Sequence, residues 1–410
     1  ESLLQSGATW MRTDILWSLT EPSNTSSANY DWNYADQVFG SGLGRTPMRI
    51  IGTIRTAPSW AVTDPTKPDS PINPAHMPEF LEFVGALVER FDGDGYQDAP
   101  GSPVVEYWEF YNEPDRKLNS SNGRWGNHGK YYAEMLSKVY PIVKARNPNA
   151  KVVFGGLAYD FFENEGGPFV RSFLDDVLAA GGASYFDIFN FHAYASYAHN
   201  WLPGGAQASG PGLLQKSEYL RAKLNALSIY KPMIITEAGW HSDDHPNYAA
   251  NEEIQARYVV QLYTQSLAAD LDMMIWWMLY DPSDWGMDNG LTTDDSPPRR
   301  KPSFLAYQTV VNMMTYKKFS RTLSEQETNN RAIEAYEFRN PTSGQPLYVS
   351  WLNPVTATGS STLSIIAEEV RMTDIYGAST GIILDNDDGA NDGRVAVPIT
   401  SQPKYIEVAR

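Results

Sequence analysis

Short β-rich apolar runs alternate with segments of helical period over the first three quarters of the chain. The runs are TWMRTDI (9–15), PMRIIGTIR (47–55), VVEYWEFYN (104–112), KVVFGGLA (151–158), YFDIFNFHAY (185–194), PMIITEAGW (232–240) and MMIWWMLYD (273–281). Amphipathic stretches lie between them, such as MPEFLEFVGALVERF (77–91), KYYAEMLSKVYPIVKAR (130–146) and NEEIQARYVVQLYTQSLAA (251–269). Alternation of this kind predicts a parallel sheet, and seven such units favour a closed (β/α)8-type TIM barrel over an open sheet. The opening ESLLQSGA reads as the end of a helix that follows a first strand. That strand is therefore expected to be absent from this chain, its place filled by another element or by upstream residues.

The pattern changes near residue 317, after a last helical segment, PSFLAYQTVVNMMTY (302–316). AIEAYEFR (332–339), PLYVSWLN (346–353), TLSIIAEEVRMTDIY (362–376), RVAVPI (394–399) and KYIEVAR (404–410) alternate apolar and polar positions and are separated by Gly, Asn, Asp and Pro. Period two with turn punctuation predicts antiparallel strands. The expected organisation is a barrel domain over 1–316 and a small antiparallel β-sandwich domain over 317–410. DNDDGANDG (385–393) lacks the closing Glu of a calcium loop and reads as an acidic turn.

Barrel enzymes carry their reactive groups at the C-terminal ends of the strands. One run ends Asn112-Glu113-Pro114 and another ends Thr236-Glu237-Ala238-Gly239. Two carboxylates at one rim suit glycoside hydrolysis, in which one acid protonates the leaving oxygen while the other attacks, or positions water at, the anomeric carbon.

VVEYWEFYNEPD and PMIITEAGW resemble the two signature strands of clan A glycoside hydrolases, the retaining barrel enzymes. GATWMRTDILWSLTEP (7–22), TAPSWA (56–61) and the trailing β domain are most similar to glycoside hydrolase family 39 and its relatives. The resemblance implies Glu113 as acid/base, Glu237 as nucleophile, and Asn112 as the amide that holds the sugar 2-hydroxyl. It also implies that Tyr194 hydrogen-bonds the nucleophile, with His192 as a supporting contact, and that one tryptophan near the last strand forms a platform for the sugar. Adjacent strand residues face opposite ways, so Trp276 and Trp277 cannot both serve, and Trp277 is favoured. Exo-acting cleavage of β-xylosides or related glycosides is implied. An endo-acting groove, bounded by the loop expected at 195–217, and a transglycosylase remain open, as does a non-catalytic carbohydrate-binding barrel.

Physical argument supports the division of labour between the two acids. Ionised Glu237 across ~5.5 Å would raise the proton affinity of Glu113 until the glycosyl-enzyme removes that charge. Arg12, Arg55 and Glu109 lie inside otherwise apolar strands, where an unpaired charge is costly. Glu109 is therefore expected to pair with Arg12 or Arg55 beneath the site. Arg55, Trp60 and Trp240 are expected along the substrate cleft, whereas Trp17, Trp32, Trp125, Trp201 and Trp285 read equally well as packing.

Composition narrows the classes. Hydrophobic residues at 42% and charged residues at 20% are globular values, which excludes wholesale disorder. The net charge of −17 and the lack of a basic run disfavour nucleic acid and membrane surfaces as partners, leaving carbohydrate. Zero Cys excludes thiol chemistry and Cys-ligated zinc. His241 and His245 have helical spacing, but the Glu of a zinc hydrolase motif is missing and no Gly-rich phosphate loop occurs, so no metal or cofactor is expected. The 13% aromatic content suits sugar faces, and a polymer-degrading role implies secretion.

Overall fold

The computed structural model describes residues 2–40, 48–158, 168–194, 212–245, 248–282, 286–354 and 359–409. The chain divides into two compact units, one of Ala8–His192 with Leu224–Thr236, the other of Glu1–Gly7, Ala193–Lys223 and Glu237–Arg410.

In the first unit, β1 (Trp10–Leu16), β2 (Arg49–Arg55), β3 (Tyr107–Phe110) and β4 (Lys151–Val153) form a parallel ladder in that order. Parallel bridges Val153↔Ile188 and Leu157↔Phe191 extend it. β2 and β3 approach closely because Gly52 stands opposite Trp108, whose ring would lie 2.7 Å from a Cβ there. The helix Met77–Arg90 starts with Pro78, which gives up an N–H the first turn cannot bond. Its Phe80, Phe83, Val84, Leu87 and Val88 recur at three- and four-residue intervals and are all buried. Gly129–Arg146 is the second long helix of this unit.

β3 is shorter than the apolar run 104–112. Tyr111 and Glu113 have φ of 65° and 45°, a conformation that breaks the pleat, while Asn112 keeps a single bridge to Gly156.

β5 (Phe189–Tyr194), β6 (Met233–Gly239) and β9 (Met273–Trp276) form a three-stranded ladder in that order. Within the second unit, β7 (Asp244–His245) and β8 (Tyr248–Ala249) make a short antiparallel pair. The helices Glu252–Ala268 and Pro302–Met314 follow, the first capped by the Asn251 side chain, which accepts from the Ile254 N–H at 2.8 Å.

The C-terminal part is antiparallel. β10 (Lys318–Thr322), β11 (Ile333–Arg339), β12 (Pro346–Leu352), β17 (Lys404–Val408), β14 (Glu369–Thr373) and β15 (Ser379–Leu384) form a six-stranded sheet in the order β10-β11-β12-β17-β14-β15. β13 (Ser360–Ile366) pairs with β16 (Arg394–Thr400). Val349, Leu363, Ile365, Val370, Val395, Val397 and Ile406 are buried among the alternating positions of these strands. The continuous run 362–376 is thus two strands, β13 and β14. The acidic turn is held by Asp385, whose carboxylate accepts from the backbone N–H groups of Asp392, Gly393 and Arg394 at 3.2, 2.9 and 3.2 Å. Among the described residues no helix is long and apolar enough to cross a membrane.

Of the expected loop 195–217, residues 195–211 lie outside the described residues, and Leu213–Ala226 is helix, so the loop ends earlier than expected. Trp17 and Trp125 are core residues, while Trp201 and Trp285 lie outside the described residues.

Candidate active site

In the first unit, β3 delivers Glu113 on a left-handed backbone turn followed by Pro114, a conformation that persists only where the surroundings enforce it. Arg124 Nη1 donates to Glu113 Oε2 at 2.6 Å, and His192 Nδ1 lies 3.2 Å from Oε1. The other ring nitrogen of His192 lies 3.2 Å from Thr236 Oγ1. Gly156 leaves room for the imidazole, since a Cβ there would sit 2.0 Å from Nε2. Burial by itself would raise the proton affinity of Glu113. The bond to His192 and the Arg124 charge outweigh it and hold the carboxyl well below the usual carboxylate range. This differs from the expectation of a proton-retaining Glu113, because Arg124, a residue of a polar loop without periodic signal, reaches the carboxylate.

Beneath it, Glu109 is fully buried and paired with Arg12, one of its two expected partners. Arg12 Nε donates to Oε2 at 2.6 Å and Nη2 to Oε1 at 3.0 Å. Thr53 Oγ1, the Gly156 N–H and Asn190 Nδ2 donate to the same carboxylate at 3.0, 2.9 and 3.0 Å. A buried carboxylate satisfied this fully is a rigid floor. Arg55 turns elsewhere, its fork reaching Asp69 at 2.5 Å and Asp14 at 3.3 Å.

Asn112 Oδ1 accepts from Arg12 Nη2 at 2.7 Å. A guanidinium only donates, so this contact fixes the amide with its oxygen toward Arg12 and its NH2 directed away.

In the second unit, the Tyr194 hydroxyl donates to Glu237 Oε1, and Glu237 is only 7% exposed. The Trp277 ring stands edge-on to Tyr194, with centroids 6.4 Å apart and planes at 83°. The Trp277 N–H donates to the Ala238 carbonyl at 2.7 Å, and a Cβ on Gly239 would lie 2.5 Å from the Trp277 carbonyl oxygen. Trp276 is buried and donates its indole N–H to the Asn289 carbonyl at 3.3 Å. Trp277, then, is the tryptophan placed beside Tyr194.

The remaining aromatic candidates have packing contacts. Trp60 stands edge-on to Trp17 at 5.3 Å and to His76 at 5.3 Å, and Trp240 packs on Tyr258 at 5.5 Å and His241 at 4.8 Å. His241 lies 3.4 Å from Asp243, and His245 is in the β7–β8 pair, so their four-residue spacing is not that of a helix face.

Arg124, Thr236 and Asn190 belong to these networks and were not singled out from the sequence. Asn190 and Thr236 had a usable signal, since each is a polar residue inside an apolar strand. Arg124 had none, because it lies in a polar loop.

No protein-family model matches the sequence, and no curated protein matches it. Among solved structures, a family 39 glycoside hydrolase from the gut symbiont Bacteroides cellulosilyticus WH2 is similar over 99% of this chain and 76% of its own, at 19% identity and TM-score 0.72. The catalytic domain of family 30 xylanase C from Talaromyces cellulolyticus is similar over 99% and 88%, at 14% identity and TM-score 0.63. A family 39 β-xylosidase from Caulobacter crescentus is similar over 100% and 90%, at 15% identity and TM-score 0.59. The likeness is one of fold: a (β/α)8-type TIM barrel, represented among the described residues by a four-stranded parallel ladder and a three-stranded one, followed by an antiparallel β-sandwich.

Proposed function

We propose that the chain is a retaining glycoside hydrolase that cleaves β-linked oligo- or polysaccharides by double displacement, of β-xylosidase or β-glycosidase type, without a cofactor. Glu237 is the nucleophile and Glu113 the acid/base. The observation that carries the reading is the carboxylate of Glu237 at the end of β6, nearly buried, held by the Tyr194 hydroxyl with Trp277 against that tyrosine. An anionic nucleophile needs this fixed orientation, and an aromatic face at its side suits a sugar ring.

In the first step Glu237 attacks the anomeric carbon, the glycosidic C–O bond breaks, and Glu113 gives its proton to the leaving oxygen. In the second, Glu113 takes a proton from water, the water oxygen attacks the anomeric carbon, and the ester to Glu237 breaks, leaving both acids as they began. Asn112 presents its NH2 to the sugar 2-hydroxyl, and Arg12 fixes that orientation. His192 positions Glu113. Trp277 is the platform, with Trp60, Trp240 and Arg55 further out along the cleft. The fold shared with a xylanase and a β-xylosidase supports β-xylosides as first substrates. The same reading places the barrel in 1–316 and the sandwich in 317–410, and has the protein secreted.

The test is Glu237→Gly on an activated aryl β-xyloside, with and without azide. Turnover falls by on the order of 10⁴ or more, as removal of a covalent nucleophile does elsewhere, and azide restores release of the aryl group with a glycosyl azide as product. Undiminished turnover in the variant overturns the assignment. A wild-type protein that binds glycans but turns over no aryl glycoside is a carbohydrate-binding barrel.

A further inference from the structure

Arg124 sits on the loop that leaves β3 after Pro114, and this loop is tightly folded. A Cβ on Gly123 would lie 1.9 Å from the Leu118 carbonyl oxygen, and one on Gly126, at φ 52°, would lie 2.7 Å from the Leu118 nitrogen. The Gly126 N–H also donates to the Pro114 carbonyl at 2.8 Å. The loop therefore places Arg124 firmly, and the residue is only 9% exposed. A guanidinium has five N–H donors. Here Nη1 is engaged by Glu113 at 2.6 Å, and Arg124 makes no hydrogen bond to any other described residue.

The donors of Arg124 that Glu113 does not engage keep contact with solvent, so they are open to a second partner. A cation bonded to the proton donor favours the ionised form, opposite to what a general acid needs. One additional anion engages those donors and relieves that cost.

We propose that Arg124 is a specificity-determining residue that receives an anionic substituent, a carboxylate or a sulfate, on the leaving-group sugar, drawing the guanidinium from Glu113. The inference rests on Glu113 being the proton donor of the proposed reaction. In that reaction the leaving oxygen lies within hydrogen-bond reach of the Glu113 carboxyl, so Arg124 is within one sugar ring of the leaving group. Carboxylate and sulfate oxygens both match the planar fork of a guanidinium. With Arg124 held by substrate, Glu113 takes a proton from solvent and passes it to the leaving oxygen as the C–O bond breaks. A neutral leaving group leaves the Arg124–Glu113 pair in place. The net charge of −17 repels anions at long range, so the preference is one of close contact rather than of steering.

The experiment compares aryl β-xylosides whose aglycone carries a carboxylate, a sulfate or a methyl ester on a methylene spacer, which keeps the leaving-group electronics alike. A dinitrophenyl β-xyloside, whose leaving group needs no proton, reports the glycosidase reading separately. In the wild type, kcat/KM for the charged aglycones exceeds that for the ester by roughly tenfold, the value of one charge-assisted contact. The ratio falls to about one in Arg124→Gln and is intermediate in Arg124→Lys, since lysine keeps the charge and loses the fork. Preference for carboxylate alone, sulfate alone or both supports the inference and names the anion. Turnover of the dinitrophenyl compound with no preference for either anion in the wild type overturns the inference and leaves the glycosidase reading standing. No turnover of the dinitrophenyl compound overturns that reading and the inference with it.

Discussion

Arg124 Nη1 lies 2.6 Å from Glu113 Oε2, so the proposed proton donor meets a fixed positive charge within its own unit. Arg124 and His192 lower the proton affinity of Glu113 against a burial effect of opposite sign. Removing the guanidinium leaves burial and the single bond to His192, and the carboxyl moves up. In Arg124→Gln, the alkaline limb of kcat/KM on neutral aryl glycosides with poor leaving groups, which needs Glu113 protonated, is expected to shift to higher pH by about one unit or more. A pH–rate profile of both proteins checks this, and an unmoved or lowered alkaline limb contradicts it.

The Tyr194 hydroxyl is the donor seen at Glu237 Oε1. Tyr194→Phe keeps the ring against Trp277 and removes only the oxygen. A hydrogen bond to a charged group contributes about 1.5–3 kcal/mol, so kcat is expected to fall roughly 10- to 100-fold with a smaller change in KM. A loss confined to KM would assign the tyrosine to substrate binding instead.

Much of this arrangement is legible along the chain because it follows from period and punctuation. The seven apolar runs each contain a strand, and Glu109 is expected to need a cation because an apolar strand cannot hold its charge alone. Tertiary context decided what was missed. β10 (KFSRT) and β15 (STGIIL) end the six-stranded sheet, where side chains are mostly exposed and the apolar alternation fades. The choice of Arg12 over Arg55 as the partner of Glu109 depends on which strand neighbours which, and Asp69, which engages Arg55, lies in a loop with no periodic signal.

Gly52 carries a stability prediction. Its backbone allows Trp108 to lie against β2, and an added Cβ would meet that ring at 2.7 Å and Phe39 at 3.2 Å, both fully buried. Neither ring has free space to move into, so Gly52→Ala is an overpacking substitution. It is expected to destabilise by about 1–3 kcal/mol, read as a lower urea midpoint with an unchanged slope. A variant as stable as the wild type would mean that β2 and β3 separate at little cost.

Glu334 on β11 ties stability to pH. Burial pushes its carboxyl up to about 7, against the smaller opposing effects of the Tyr336 hydroxyl, which donates to Oε2 at 2.9 Å, and of Gln265 Nε2 at 3.2 Å. The Trp351 indole opposes the rise as well, and Oε1 is buried without a hydrogen bond of normal geometry. The folded protein therefore binds this proton more tightly than the unfolded chain, whose glutamate titrates near 4.3. Protonation thus favours the folded state, and the contribution is fully present below the unfolded value. It declines as pH rises through the window from about 4.3 to 7, by roughly 4 kcal/mol in all, and is constant above it. Glu334→Gln keeps a neutral side chain of the same shape throughout. The variant is expected to match the wild type near pH 4 and to be the more stable protein at pH 8. Urea midpoints of the pair across that range isolate this one group, because every other titration is common to both. A difference that stays flat with pH, or that favours the wild type at pH 8, would mean that Glu334 ionises in the folded protein at little cost.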